Sequence, residues 1–457
     1  MKLRKVEKWS LGYALLKAWV GFWHNNIFYK KIVIINKENI PDNAHLIFAI
    51  NHQNALMDPL AVIYALKKMQ LVFLARSDIF KKSFTARILM FIKILPIYRI
   101  RDGFDSLKNN DEVFLKTAEV IRSKRGLAIL PEGSHEGIHR LRQLKKGFAR
   151  IVFQTEEANN FDLDIKIIPV GLDYSDYENF RTTLLVNFGK PISVSDYYDR
   201  YKESPVKGYN QLKDELWNKL KLLMVHIESE EYYHLNNELR EIYKNKMAKH
   251  LSLPNSHQPN KLKTDQALIN ILSKCEADKP SLLFSLWESV INYNKKLKSM
   301  KLTTGMVEKG SVSIGRLILS TAFLLISLPV FLYGFINNYV PYWIPTKISR
   351  KVKDQQFHSS FKFGLSRIIF PIFHIIQTFL VLLISSSWLV AGIYILSLLP
   401  SALFAWWWFE RVGKLADCWK LRKLSTNKAS GFAEVRDLLK EIIEKTDEIV
   451  KKYMPGS

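Results

Sequence analysis

Hydrophobic positions along this 457-residue chain fall into three regimes with different periods. Between Ile32 and about Ile192, short β-branched runs alternate with amphipathic stretches. The runs Ile32–Ile35, Leu46–Ile50, Leu71–Ala75, Leu127–Leu130, Ile165–Val170 and Leu184–Phe188 predict strands. Pro59–Met69 and about Asp111–Ser123 predict helices, the second because Val113, Phe114, Thr117, Ala118 and Ile121 recur at helical spacing. Such alternation predicts an α/β domain, a mixed sheet flanked by helices, over about residues 31–204.

The second regime, residues 205–312, is helical and highly charged. Leu212, Leu216, Trp217, Leu220 and Leu223 make one apolar face. Pro254, Asn255, Ser256, Pro259 and Asn260 mark a linker near 253–264, and another helical stretch, Asp265–Lys301, follows it. No function is legible in this part.

The third regime is a membrane region over residues 313–410. Leu317–Thr346 holds no Asp, Glu, Lys or Arg over 30 positions, and Ile368–Phe409 holds none over 42. A bilayer core takes about 20 apolar residues as a helix, so the second run is long enough to cross twice, bending near Ser385-Ser386-Ser387. The first run crosses once, or dips in and returns at Pro329. Lys347, Arg350, Lys351, Lys353, Lys362 and Arg367 between the runs favour the cytoplasmic side, and Trp406, Trp407 and Trp408 suit an interfacial belt. A basic helical tail is expected over 411–457. At the other end, Lys2, Arg4, Lys5 and Lys8 precede an aromatic stretch, Trp9–Trp23. No small-residue cleavage site follows it, so residues 1–30 read as an interfacial amphipathic helix, with Trp9, Tyr13, Trp19 and Trp23 at headgroup level.

Composition sharpens this picture only in part. Mean hydropathy of −0.06 averages apolar runs with lysine-dense ones. The 67 Lys and Arg against 43 Asp and Glu give a formal charge of +24, which asks for anionic partners. Anionic membrane lipids and phosphorylated small molecules fit. A nucleic acid does not, because the charges are dispersed and no nucleic-acid module is recognisable. Cys275 and Cys418 are far apart, which supports neither a zinc site nor a disulfide framework, and no metal constellation is visible.

Candidate chemistry begins straight after the Leu46–Ile50 run. Asn51-His52-Gln53-Asn54-Ala55-Leu56-Met57-Asp58-Pro59 places an imidazole and a carboxylate where ligands bind in open α/β sheets, beyond a strand's C-terminal end. An imidazole held by a carboxylate is a general base near neutral pH. Asp58-Pro59 is equally a good helix start, with Asp58 as N-cap and His52 an ordinary loop histidine. Further along stand Leu95-Pro96-Ile97-Tyr98-Arg99-Ile100-Arg101, then Pro131-Glu132-Gly133-Ser134-His135, then Leu144-Lys145-Lys146-Gly147, then Ile167-Ile168-Pro169-Val170-Gly171. Arginine forks and lysine point charges bind phosphate, and glycine lets backbone approach a ligand.

In this order the four blocks resemble those of the phospholipid and glycerol acyltransferase family: a His-Asp motif, an arginine block, a PEG(S/T) block and a strand with a proline. The resemblance covers about residues 30 to 200. It implies His52 as base and Asp58 as its partner. It also implies that Arg99 or Arg101, with Glu132, Gly133 and Ser134, forms the acceptor site. Asn51, His135, Lys145 and Lys146 join the expected substrate-binding set, and Pro169 falls in the block associated with the acyl side. Five residues separate His52 from Asp58 where four are common. The chain in this is similar to a branch that includes glycerol-3-phosphate and dihydroxyacetone-phosphate acyltransferases, which also place a histidine after the PEG block, as His135 stands here. The arginine usual after that block is absent, so Lys145, Lys146 or Arg140 would supply charge.

The resemblance therefore implies a membrane-bound O-acyltransferase of phospholipid synthesis, multi-pass in the cell (inner) membrane with its catalytic domain facing the cytoplasm. Its acyl thioester donor, acyl-CoA or acyl carrier protein, is a co-substrate; no cofactor is expected. The acceptor is glycerol-3-phosphate, its 1-acyl product or dihydroxyacetone phosphate. The alternative is a catalytically inactive membrane protein that keeps the fold to bind lipid.

Overall fold

The computed structural model describes residues 6–98, 109–310, 312–426 and 431–454. They fall into two compact units. One is Met1–His226 with Ser349–Phe363, and the other is Ile227–Ile348 with Gly364–Ser457.

Eight strands build the first unit: β1 (Tyr29–Ile35), β2 (Leu46–Ile50), β3 (Val72–Arg76), β4 (Ile94–Ile97), β5 (Leu127–Ile129), β6 (Lys166–Tyr174), β7 (Thr182–Phe188) and β8 (Ile192–Ser193). Their order is β1-β7-β6-β2-β5-β3-β4, with β8 on β6. β2, β3, β4, β5 and β6 run parallel, and β7 and β8 pair antiparallel with β6, so the sheet is mixed as expected. The six expected strands are all present, with β6 extended to Tyr174. β4 falls where the sequence reads as a loop, because a four-residue strand with Pro96 inside gives almost no period. Helices Met57–Ala65, Ser83–Phe91, Asn109–Arg122 and Gly147–Glu157 cover the sheet, which is why Ile47, Phe48, Ala49 and Ile50 of β2 are all fully buried.

Because five strands run parallel, their C-terminal ends share one edge. Residues 51–56, 77–82, 130–146 and 175–181 leave the sheet there. Pro169 is buried in the middle of β6, opposite Ala49. Its missing N–H costs nothing because the ladder changes partner there: β8 pairs with Lys166 and Ile167, and β7 begins at Val170.

The N-terminal helix Leu11–Phe22 is capped by Ser10, whose hydroxyl accepts from the Tyr13 N–H. Trp9, Leu11, Leu15, Trp19 and Phe22 are exposed along it. Tyr13 and Trp23, expected at headgroup level, are instead buried, since they lie on the face that packs inward.

In the second unit, helices Tyr233–Ile242, Asn260–Asp278, Pro280–Met300 and Phe432–Tyr453 share one apolar core. Val435, Leu439, Ile442 and Ile449 are buried in it, so the end of the expected tail is a packed helix. Two helical stretches, Gln355–Ser385 and Trp388–Thr426, are long and apolar enough to cross a membrane, and the chain turns between them at Ser386 in the left-handed region. Ile314–Ile326 and Leu328–Ser349 pass that test as a pair bent by 54°, a broken span or a re-entrant loop. Ile326, Ile384 and Trp388 are at least 80% exposed, as suits lipid-facing side chains. The apolar runs thus suit membrane association. Gly334 lies so near the Ser401 carbonyl that a Cβ there would approach it to 2.2 Å, the close backbone approach small residues allow between membrane helices.

Candidate active site

The loop after β2 turns back on itself through Ala55, held at φ 40°, and so returns Asp58 to His52. His52 Nδ1 lies 2.8 Å from Asp58 Oδ2, and the N–H groups of Gln53 and Asn54 donate to the same oxygen at 2.8 and 2.7 Å. Tyr174 donates its hydroxyl to Oδ1 at 2.6 Å. The fully buried carboxyl thus accepts from the Gln53 and Asn54 N–H groups and the Tyr174 hydroxyl, and presents an acceptor oxygen to the imidazole. His52 Nδ1 is then the protonated nitrogen, which leaves the lone pair on Nε2. Asp58 does not cap the helix Met57–Ala65, which begins one residue earlier with Leu56 at the N-cap.

Glu132 fixes the other end of this loop. Its Oε1 accepts the His52 N–H at 2.6 Å and its Oε2 the Arg142 N–H at 2.9 Å. The side chain is 1% exposed, so it ties the PEG turn to the His52 loop and presents no charge to a ligand. Burial pushes its carboxyl up to about 8, against the pull of those two N–H donors. A folded-state value above the unfolded one means that the folded protein keeps a proton the unfolded chain releases between about 4.5 and about 8. Stability from this group is therefore present below about 4.5 and lost as pH rises through about 8. Relative to Glu132→Gln, the wild type is expected to lose thermal midpoint with rising pH across that window. Parallel midpoint-versus-pH curves for the two proteins would refute it.

Of the other expected residues, Gly133 has φ +70° and Gly133 and Ser134 are exposed. Lys145 and Lys146 are also exposed, and the Lys145 N–H bonds the Pro131 carbonyl at 2.8 Å. The ring of His135 stands 4.8 Å from that of His52, and burial, followed by the charge of His52, lowers its pKa. Asn51 is not a ligand-facing group. Fully buried, it clamps β6 by accepting from the Leu172 N–H at 2.7 Å and donating to the Leu172 carbonyl at 3.3 Å. Pro169, expected toward the acyl side, is likewise a buried sheet residue. Arg99 and Arg101 lie outside the described residues.

Several participants carry no sequence signal. Tyr174 reaches Asp58 from 116 residues away, and Tyr177 donates to Gln53 Oε1 at 2.8 Å with its hydroxyl 3.3 Å from His139 Nδ1. Tyr174 is the last residue of an apolar strand and Tyr177 lies in the loop after it, so neither position carries a local sign of its role. The arrangement is a tautomer-fixed imidazole beside a second one, at a sheet edge with exposed lysines. It can take a proton from a hydroxyl while that hydroxyl attacks an electrophile.

The acyltransferase family model matches residues 31–173. The 1-acyl-sn-glycerol-3-phosphate acyltransferase of Borreliella burgdorferi is 26% identical over 222 residues, covering 47% of this chain and 81% of that protein. The glycerol-3-phosphate O-acyltransferase 2 of Saccharomyces cerevisiae is 27% identical over 113 residues, 24% of this chain and 15% of that protein. The crystal structure of the 1-acyl-sn-glycerophosphate (LPA) acyltransferase PlsC from Thermotoga maritima aligns at 15% identity over 46% of this chain and 78% of that one, with a TM-score of 0.31.

Proposed function

Because residues 31–173 form an acyltransferase-family domain, we propose that this chain acylates a hydroxyl of a glycerol-phosphate acceptor at a membrane surface, with His52 as general base. The observation that carries the reading is the 2.8 Å contact between His52 Nδ1 and an Asp58 carboxylate held by three other donors. In the step, His52 Nε2 takes the acceptor's hydroxyl proton as the oxygen forms a bond to the thioester carbonyl carbon. The carbon–sulfur bond then breaks, and the thiol leaves with a proton from the imidazolium. Asp58 stabilises the cation between those events. No acyl-enzyme is required, since neither Cys275 nor Cys418 stands near His52 in sequence and a ternary complex suffices.

The acceptor is glycerol-3-phosphate, its 1-acyl product or dihydroxyacetone phosphate, and the donor acyl-CoA or acyl carrier protein. Names of two relatives support the first two acceptors. Arg99, Arg101, Lys145 and Lys146 would hold the phosphate. The exposed Trp9, Leu11, Leu15 and Trp19 would rest on anionic lipid at the cytoplasmic face of the cell membrane.

A radiolabelled acyl-transfer panel on membranes, varying acceptor and donor, tests the reading; no product from any glycerol-phosphate acceptor refutes it. Arg101→Ala is expected to raise the KM of the acceptor by about tenfold or more and to leave that of the donor nearly unchanged. Equal effects on both would exclude a phosphate contact there.

A further inference from the structure

The segment Ser349–Phe363 lies in sequence between the bent apolar pair and the rest of the helix His358–Ser385, yet it folds as part of the first unit. Its buried groups converge on the loop that carries His52. Ser359, 1% exposed, donates its hydroxyl to Asn54 Oδ1 at 2.6 Å, and Leu56 donates its N–H to Ser360 Oγ at 3.2 Å. Asn54 in turn donates its N–H to Asp58 Oδ2, so two hydrogen bonds and one residue separate Ser359 from the carboxylate on His52. The rings of Phe357 and His135 meet in a T-shaped contact with centroids 4.8 Å apart, and His135 stands at the same distance from His52. The segment is itself fixed. His358 Nδ1 lies 3.3 Å from Glu178, Lys362 donates to the Glu178 carbonyl at 3.0 Å, and Phe363 packs 5.5 Å from Phe28.

From this we infer that Ser359, Ser360 and Phe357 are positioning residues of the His52 centre, so that a stretch between the apolar helices holds the catalytic loop and the second imidazole in place. The loop needs such support. Ala55 is held in the left-handed region, which a non-glycine residue occupies only when its surroundings enforce it. The contacts that enforce it from one side, at Asn54 and Leu56, come from residues about three hundred positions later. The inference takes from the acyltransferase reading only what the centre does; how the loop is held follows from the geometry.

The test uses the full chain in phospholipid nanodiscs, comparing wild type with Ser359→Ala/Ser360→Ala and with Phe357→Ala and Phe357→Tyr. Two readouts are steady-state acyl transfer and amide hydrogen exchange at residues 53–56. The double variant is expected to lose about 10- to 100-fold in kcat with both KM values within about twofold, because a misplaced base slows the step without weakening binding. Its 53–56 amides should exchange faster, and Phe357→Tyr should keep the rate that Phe357→Ala loses. A kcat within about twofold of wild type, or a loss confined to KM, overturns the inference. If the wild type acylates nothing, the acyltransferase reading fails separately. Exchange at 53–56 then decides alone: faster exchange in the double variant sustains the positioning role, and unchanged exchange ends it.

Discussion

His52→Ala is expected to lower acyl transfer by about 10²- to 10⁴-fold, the usual worth of a positioned general base, without moving the protein from the membrane fraction. The fold should survive, because Asp58 keeps the Gln53 and Asn54 N–H groups and the Tyr174 hydroxyl when the imidazole is gone. Asp58→Asn separates charge from geometry more sharply. An amide oxygen at the Oδ2 position can still accept from His52, Gln53 and Asn54, while an amide nitrogen at the Oδ1 position can donate to a reoriented Tyr174 hydroxyl. Every hydrogen bond is thus replaceable, and what disappears is the negative charge that stabilises the imidazolium. A large fall in kcat with a nearly unchanged thermal midpoint is the expected result. Full activity in His52→Ala would end the assignment of the base. Full activity in Asp58→Asn would reduce the carboxylate to an orienting group.

That dyad was legible in the sequence because its members stand six residues apart, His52 in the loop after a strongly apolar strand and Asp58 in the first turn of the next helix, where local pattern and chemistry coincide. The sheet was legible for the same reason: β2, β5 and β6 are continuous β-branched runs. What escaped was either read by its neighbours' chemistry or depends on residues far apart in the chain. The helix Gly147–Glu157 follows a lysine pair that invites a binding-loop reading, yet Phe148, Ala149, Ile151 and Val152 are buried in the core. Asn51 and Glu132 look like site residues from their neighbours, but each spends its polar atoms on backbone groups, and burial alone reveals it. Tyr174 and Ser359 act on the dyad over separations of 116 and about 300 residues, and no period encodes those meetings. The turn between the two long apolar helices falls within the expected Ser385-Ser386-Ser387, since the length of an apolar run bounds each span even where the helices extend past it.

Gly171→Ala is expected to destabilise the first unit by about 3 kcal/mol or more and to remove activity with the fold. The residue lies inside β6, with no unusual φ, so conformational freedom is not why glycine stands there. A Cβ would lie 2.3 Å from the Leu223 carbonyl oxygen and 2.6 Å from the Leu223 carbonyl carbon, backbone atoms that cannot turn aside as a side chain end can. Either β6 or the chain leaving the helix Pro205–Lys221 must move. Movement of β6 carries with it Leu172, which holds Asn51, and Tyr174, which holds Asp58, so the clash is transmitted to the dyad through two named hydrogen bonds. Gly147→Ala is the control: nothing lies within 4 Å of a Cβ there, and at the first position of a helix alanine should leave stability unchanged or raise it by up to about 1 kcal/mol. Thermal midpoints of the two detergent-solubilised variants check both statements. A Gly171→Ala protein that unfolds with the wild type would show that β6 and the Leu223 backbone separate freely, and would break the link drawn here between strand packing and the placement of Asp58.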